Sequence, residues 1–267
     1  MRVRFWGVRG SVPFATPTSI GHGCNTPCIE VIDEATDRHL ILDAGSGIVG
    51  VGETLAASIV EMPIVLTHYH WDHVQGLPFF APLYRAGAVP TVWAPSLGRH
   101  FADIETMFES PFFPVPYDRL PSRPVIRMIA PGVAIINGFT VSAQPLNHPG
   151  GALAYRVRGA DSDLVYATDH EFGDPQIDND LATFSAEAGA LILDAHFTPA
   201  ELPAHAGWGH SDWQQCTRFA SACGAGHLWL FHHRPGRTDE ALKAIEAEAR
   251  QWFQLTDAAS EGDSFIL

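Results

Sequence analysis

The segment His68-Tyr69-His70-Trp71-Asp72-His73 places three imidazoles and one carboxylate within six residues. Neutral imidazole and carboxylate are ligands for zinc, iron and manganese. Packed together, such groups need a partner, because buried polar atoms are costly when left unpaired. The apolar run Ile64-Val65-Leu66, preceded by Pro63, reads as a buried strand. After the cluster, Val74-Gln75-Gly76-Leu77 is expected to open a short helical turn. The cluster is therefore predicted on a strand-to-helix loop, where side chains can converge above a sheet edge. A set of surface histidines is the alternative, and it is disfavoured because the cluster has distant companions.

His148 follows the apolar run 141–146, Asp169 follows 164–168, and His232 follows 228–231. His210 stands just before a helix start. Any one of these alone is more often a cap or a surface group. Together they carry weight, because strand ends in layered sheets converge on one edge.

The elements that must position these residues read as many short strands. In the first half, strands are predicted at 2–5, 28–32, 40–43, 64–67 and 91–94, with a helix over 96–107. In the second half they fall at 139–143, 153–157, 164–167, 191–193 and 228–231. Ser211-Asp212-Trp213-Gln214 has the form of a capping box, with Ser211 as N-cap and Gln214 reaching back. Residues 238–253 form an amphipathic pattern with Leu242, Ile245, Ala249 and Trp252 on one face. The stretch 108–117 holds too much proline for regular structure, and its aromatics suit either a substrate mouth or a hydrophobic clasp. The pattern implies two packed sheets with helical outer layers and a weak internal duplication.

With 267 residues, 46% of them hydrophobic, the chain suits a single domain over 1–267. A net charge of −14 argues against a broad basic footprint for nucleic acid. Small anionic substrates remain compatible if metal ions supply positive charge locally. The start carries no signal-peptide pattern, and no 18-residue apolar run suggests a membrane span. Cys24, Cys28, Cys216 and Cys223 are few and scattered, so reduced thiols and a cytoplasmic location are expected. A zinc on Cys24 and Cys28 is disfavoured, because no second pair matches them.

These residues resemble the metallo-β-lactamase-fold hydrolases. The signature loop of that family matches His68-x-His70-x-Asp72-His73, and its later motifs match His148, Asp169 and His232 in order. The resemblance implies an α/β (α+β) fold, an αββα sandwich of two mixed β-sheets with helices on both outer faces. It implies a dinuclear metal site at one edge. His68, His70 and His148 would hold one metal, Asp72, His73 and His232 the other, and Asp169 would bridge. Two divalent ions about 3.5–4 Å apart can bridge a water and lower its pKa to near 7, giving a hydroxide nucleophile. Zinc is the expected metal, though the same donors serve manganese and iron.

Gly209-His210-Ser211 resembles the His-Ser motif of the phosphodiesterase branch, which includes RNase Z and the cyclic phosphodiesterases. The resemblance makes His210 a catalytic residue that contacts phosphate and assists the leaving group. Asp194, in Leu191-Ile192-Leu193-Asp194-Ala195-His196, resembles its acidic partner. Asp72 would orient the attacking water as well as bind metal. A helix N-terminus beside His210 would favour an anion. His196 and His205 are nearby and unranked, and His233 is left out because its neighbour His232 faces the opposite side. The long basic arm with which RNase Z grips transfer RNA is not visible. The expected partner is therefore a small anionic phosphodiester, with a cyclic nucleotide as one candidate, no membrane, and a homodimer as the candidate assembly. A lactonase or thioesterase on the same fold is the alternative enzyme, and a non-catalytic metal or ligand sensor the alternative class.

Overall fold

The computed structural model describes residues 1–55, 60–97 and 104–267. Within them the first sheet is built from β1 (Arg2–Gly7), β2 (Cys28–Asp33), β3 (Arg38–Leu42), β4 (Glu61–Val65), β5 (Val89–Pro95) and β6 (Val125–Ile129). The second holds β7 (Gly132–Ile136), β8 (Phe139–Leu146), β9 (Ala152–Val157), β10 (Leu164–Ala167), β11 (Ala190–Asp194), β12 (Leu228–Phe231) and β13 (Thr256–Ala258). A last strand, β14 (Ser264–Ile266), returns to the first sheet. The orders are β14-β1-β2-β3-β4-β5-β6 and β13-β12-β11-β10-β9-β8-β7. In each sheet the pairing is antiparallel on one side and parallel on the other, changing over at β3 and at β10. That shared plan matches the expected duplication.

Burial along β1 alternates, with Val3 and Phe5 facing inward, the period of two that a half-buried strand requires. The two sheets meet over a core that includes Phe5, Val31 and Leu42 from one side and Tyr155, Tyr166 and Phe231 from the other. Helix α1 (Ile48–Thr54), together with short 3-10 turns, covers the outer face of the first sheet through Ile48, Val51, Phe80 and Leu83. After α2 (Trp71–Val74), the helices α3 (Pro175–Ser185), α4 (Trp213–Cys223) and α5 (Asp239–Trp252) cover the outer face of the second through residues such as Leu181, Trp213 and Ile245. The layers are those of the expected αββα sandwich.

Several local expectations shift. The helix after the histidine loop is α2, so it starts inside the motif rather than after it, with His70 as its N-cap. The N-cap of α4 is Asp212, not Ser211. Its carboxylate accepts from Gln214 N and Gln215 N, and Gln215 rather than Gln214 completes the box. Ser211 is buried and its hydroxyl donates to the His170 carbonyl, which removes it from capping. On α5, Leu242, Ile245 and Ala249 are buried as expected, but Trp252 is exposed under the Arg218 guanidinium. Half of the helix expected over 96–107, residues 98–103, lies outside the described residues, and its end is a 3-10 turn, Ile104–Phe108. The stretch 108–117 divides: Phe113 and Tyr117 both pack on Phe108, whereas Phe112 is exposed. The cysteines are free. No helix among the described residues is long and apolar enough to cross a membrane.

Candidate metal centre

The parallel strands β4, β10, β11 and β12 all end at one edge, as does β3, and the residues just past those ends form the site. Asp43 follows β3, His68 follows β4, Asp169 follows β10, Asp194 ends β11 and His232 follows β12. Asp43, Asp169 and His232 take left-handed backbone angles, with φ of 63°, 58° and 57°. Such turns cost a non-glycine residue energy and recur at functional sites, where surrounding structure enforces them. Here each turn aims a side chain into the gap between the sheets.

All seven residues expected as ligands come together. Among the described residues the donor atoms form four overlapping groups: His68 with His70 and His148, Asp72 with His73 and His232, His68 with His73 and Asp169, and Asp194 with His196, His210 and His232; the first two are the sets expected from the sequence. Asp169 stands between them with its two oxygens divided. Oδ1 is 3.9 Å from both His68 Nε2 and His148 Nε2. Oδ2 is 3.1 Å from His73 Nε2 and 3.4 Å from His232 Nε2. The remaining spacings are as tight: His148 Nε2 to His70 Nδ1 is 3.0 Å, and His232 Nε2 to Asp72 Oδ2 is 3.0 Å.

The outward hydrogen bonds fix which nitrogens face inward. His73 Nδ1 donates to Asp43 Oδ2 at 2.8 Å. His148 Nδ1 donates to the Gly209 carbonyl at 2.9 Å. The Thr67 hydroxyl donates to Asp43, so it accepts from His68 Nδ1 at 3.0 Å. In its neutral form each ring then turns an Nε2 lone pair toward the Asp169 carboxylate. Acceptor facing acceptor is repulsive unless a cation lies between, and buried His68 Nε2 has no hydrogen-bond partner. Burial also holds His68 well below, and His70 and His148 below, the ordinary imidazole pKa, which keeps them neutral as ligation requires. For His73 burial opposes charge, but Asp169, Asp72 and Asp43 outweigh it and raise the pKa well above the ordinary value. A metal ion would replace that proton. Asp72 and Asp169 sit below the usual carboxylate range, since neighbouring histidines offset the burial that would raise them. The donor set fits divalent cations.

His210 joins from the second sheet. Its Nδ1 lies 2.6 Å from Asp194 Oδ2 and 3.8 Å from Asp169 Oδ1. Burial would lower its pKa, but the charge and hydrogen bond of Asp194 prevail and raise it to about 9. The helix N-terminus expected to attract an anion beside His210 does not serve, because the Asp212 carboxylate already takes the free N–H groups of α4. The pairing with Asp194 orients His210 instead. His196 stacks on His210 with ring centroids 4.5 Å apart and donates from Nδ1 to the His232 carbonyl at 2.9 Å. Burial, with His232 and His210 adjacent, drops its pKa to about 3. His233 turns away to bond the Ala259 carbonyl, and His205 bonds the Glu201 carbonyl and stacks on Phe197.

Sequence reading missed three supports. Asp43 carries the same strand-end signature as Asp169, but the apolar pattern extends the predicted strand to residue 43, one residue past the end of β3. Ser11 N donates to Asp72 Oδ2 at 2.7 Å, a contact across 61 residues that no local pattern signals. Glu171 accepts from Gly207 N and Gly209 N, both at 2.7 Å, and so fixes the loop that leads to His210. Gly209 has φ of 85°, and a Cβ there would collide with the His148 ring.

Residues 38–233 match the family model described as the beta-lactamase superfamily domain. The chain is 26% identical to the probable metallo-hydrolase YhfI of Bacillus subtilis over 241 residues, covering 87% of this chain and 86% of that relative. It is 24% identical to a ribonuclease Z of Lacticaseibacillus casei, covering 98% and 93%. The crystal structure of YhfI superposes with a TM-score of 0.74 at 20% identity, covering 99% of both chains. A diphosphatase from the PhnP family superposes with a TM-score of 0.71 at 18% identity, covering 99% of this chain and 97% of that one.

Proposed function

This chain belongs to the beta-lactamase superfamily, and from that premise we propose that it is a metal-dependent hydrolase acting on a small phosphodiester with two divalent ions at the strand-end cluster. His68, His70, His148 and Asp169 Oδ1 would hold one ion, and Asp72, His73, His232 and Asp169 Oδ2 the other. Zinc is the favoured metal, given the predominance of imidazole donors. Bound there, two divalent ions supply Lewis acidity toward a phosphoryl oxygen and render water acidic near neutral pH. The observation that carries the reading is the division of the Asp169 oxygens between the two donor groups.

The chain's own residues supply the rest. Asp72, steadied by Ser11 N, is placed to orient the attacking water. His210 binds Asp194 through Nδ1, which leaves Nε2 to give a proton to the departing oxygen. Such a positioned acid contributes typically 10²–10⁴-fold. The names of two relatives, a ribonuclease Z and a diphosphatase, support phosphoryl chemistry. The net charge of −14 weighs against a long polynucleotide and for a small substrate. Residues 1–267 are read as one domain, a reading supported by β14 pairing with β1.

The test is metal analysis followed by turnover of bis(p-nitrophenyl) phosphate beside lactones and thioesters. Roughly two metal ions per chain and preferred turnover of the phosphodiester are expected. Faster turnover of a lactone or thioester would displace the phosphodiesterase reading.

A further inference from the structure

A cleft of about 590 Å³ opens on the outer side of the histidine loop. Tyr69 and Trp71, which line it, are the residues interleaved with His68, His70 and Asp72. Ile104, Met107 and Phe112 form other parts of the wall. Trp71, between His70 and Asp72 in the chain, is 63% exposed and Phe112 is 88% exposed, so two aromatic side chains of the cleft are open to solvent. The wall behind Phe112 is firm, since Phe113 packs edge-on against both Phe79 and Phe108. Among the described lining residues the ionisable side chains are Glu109 and Tyr69.

Position within the fold assigns the cleft a side of the reaction. The cleft lies with the first sheet and its outer layer, through Val74, Ile104 and the loop after β4. His210 and Asp194, which serve the departing oxygen, come from the second sheet. A phosphodiester bound at the cluster would direct its leaving group toward His210. The ester group that stays on phosphorus would then point toward Trp71.

We infer that this cleft binds a flat aromatic group, of nucleobase size, on the ester that is retained, and that Trp71 and Phe112 select for it. The inference rests on the phosphodiesterase reading above. In the balanced reaction, water oxygen bonds to phosphorus and the P–O bond to the leaving group breaks. The leaving oxygen takes a proton, and the product is an aryl or nucleoside phosphate monoester held in the cleft.

The experiment keeps the leaving group constant. Metal-loaded protein is assayed with phenyl p-nitrophenyl phosphate and methyl p-nitrophenyl phosphate, and the ratio of their kcat/KM values is read. Base-aromatic stacking is worth roughly tenfold or more per ring, so the wild-type ratio should favour the phenyl ester at least about tenfold. Phe112→Ala and Trp71→Ala should each lower that ratio about tenfold. A ratio near one in the wild type, or one unchanged in both variants, overturns the inference while leaving phosphodiester turnover intact. Should neither ester turn over, the functional reading fails separately, and binding decides the cleft. Phenyl phosphate would then bind the metal-loaded protein about tenfold tighter than methyl phosphate, with the preference reduced in Phe112→Ala. Equal affinities would overturn it.

Discussion

Replacing Asp43 with Asn should weaken metal binding although Asp43 touches no metal. Its Oδ2 receives His73 Nδ1 and the Tyr166 hydroxyl, both at 2.8 Å. Its Oδ1 receives Thr67 N at 2.7 Å, and the Thr67 hydroxyl is 3.0 Å away. That hydroxyl in turn accepts from His68 Nδ1. One buried carboxylate thus sets the tautomer of a histidine in each donor group. An amide keeps only one acceptor oxygen. If that oxygen stays with Thr67, the NH₂ faces His73, which must accept at Nδ1 and carry its proton on Nε2. A protonated Nε2 cannot ligate. Asn suits the test because it tolerates the φ of 63° at this position. Loss of such an orienting partner costs 10–100-fold in metal affinity, about 1.4–2.8 kcal/mol. Competition with a chromophoric zinc chelator would measure it, with near-ultraviolet circular dichroism as the folding control. An affinity within about twofold of wild type, with unchanged turnover, would refute the tautomer argument.

Three further outcomes are expected. His210→Ala should keep its metal content but lose about 10²–10⁴-fold in phosphodiester turnover, and less with p-nitrophenolate as leaving group, as a leaving-group series would reveal. In metal-free protein the His210 pKa is raised to about 9 by Asp194, so the pair's stabilisation is complete below the unfolded pKa of about 6.5 and fades as pH rises through about 9. The stability difference between wild type and Asp194→Asn, read from urea midpoints, should shrink across that window, and a difference independent of pH would count against the pairing. Gly10→Ala should displace His232, because a Cβ there would collide with its ring. Zinc affinity should fall at least about tenfold in a protein whose far-ultraviolet dichroism is unchanged, and calorimetric titration would check it.

The candidate donor residues and the class of fold are legible in the sequence. Three imidazoles and a carboxylate on one loop are a local fact, and so is a His or Asp ending an apolar run. Strand periodicity is local too, and the ten strands read from it are all present, with ends that differ by a few residues at most. The resemblance to the metallo-β-lactamase-fold hydrolases implies the division of these residues into two groups. Elements without a clear period were missed, such as β6 and β7, whose exposed Val125, Val133 and Ile135 blur the alternation.

Tertiary structure decided what holds the donors in place. Asp43 meets His73 across 30 residues and Ser11 meets Asp72 across 61, and neither contact leaves a mark in spacing. It also decided that Asp212 rather than Ser211 caps α4, because Ser211 is drawn to the His170 carbonyl by the packing of one loop on another. That choice transfers the orientation of His210 from a helix dipole to the Asp194 carboxylate. The physical reason is common to all three. A hydrogen bond between segments distant in the chain exists only once the strands that carry them have been assembled side by side in a sheet, whereas the residues able to ligate are written into the chain.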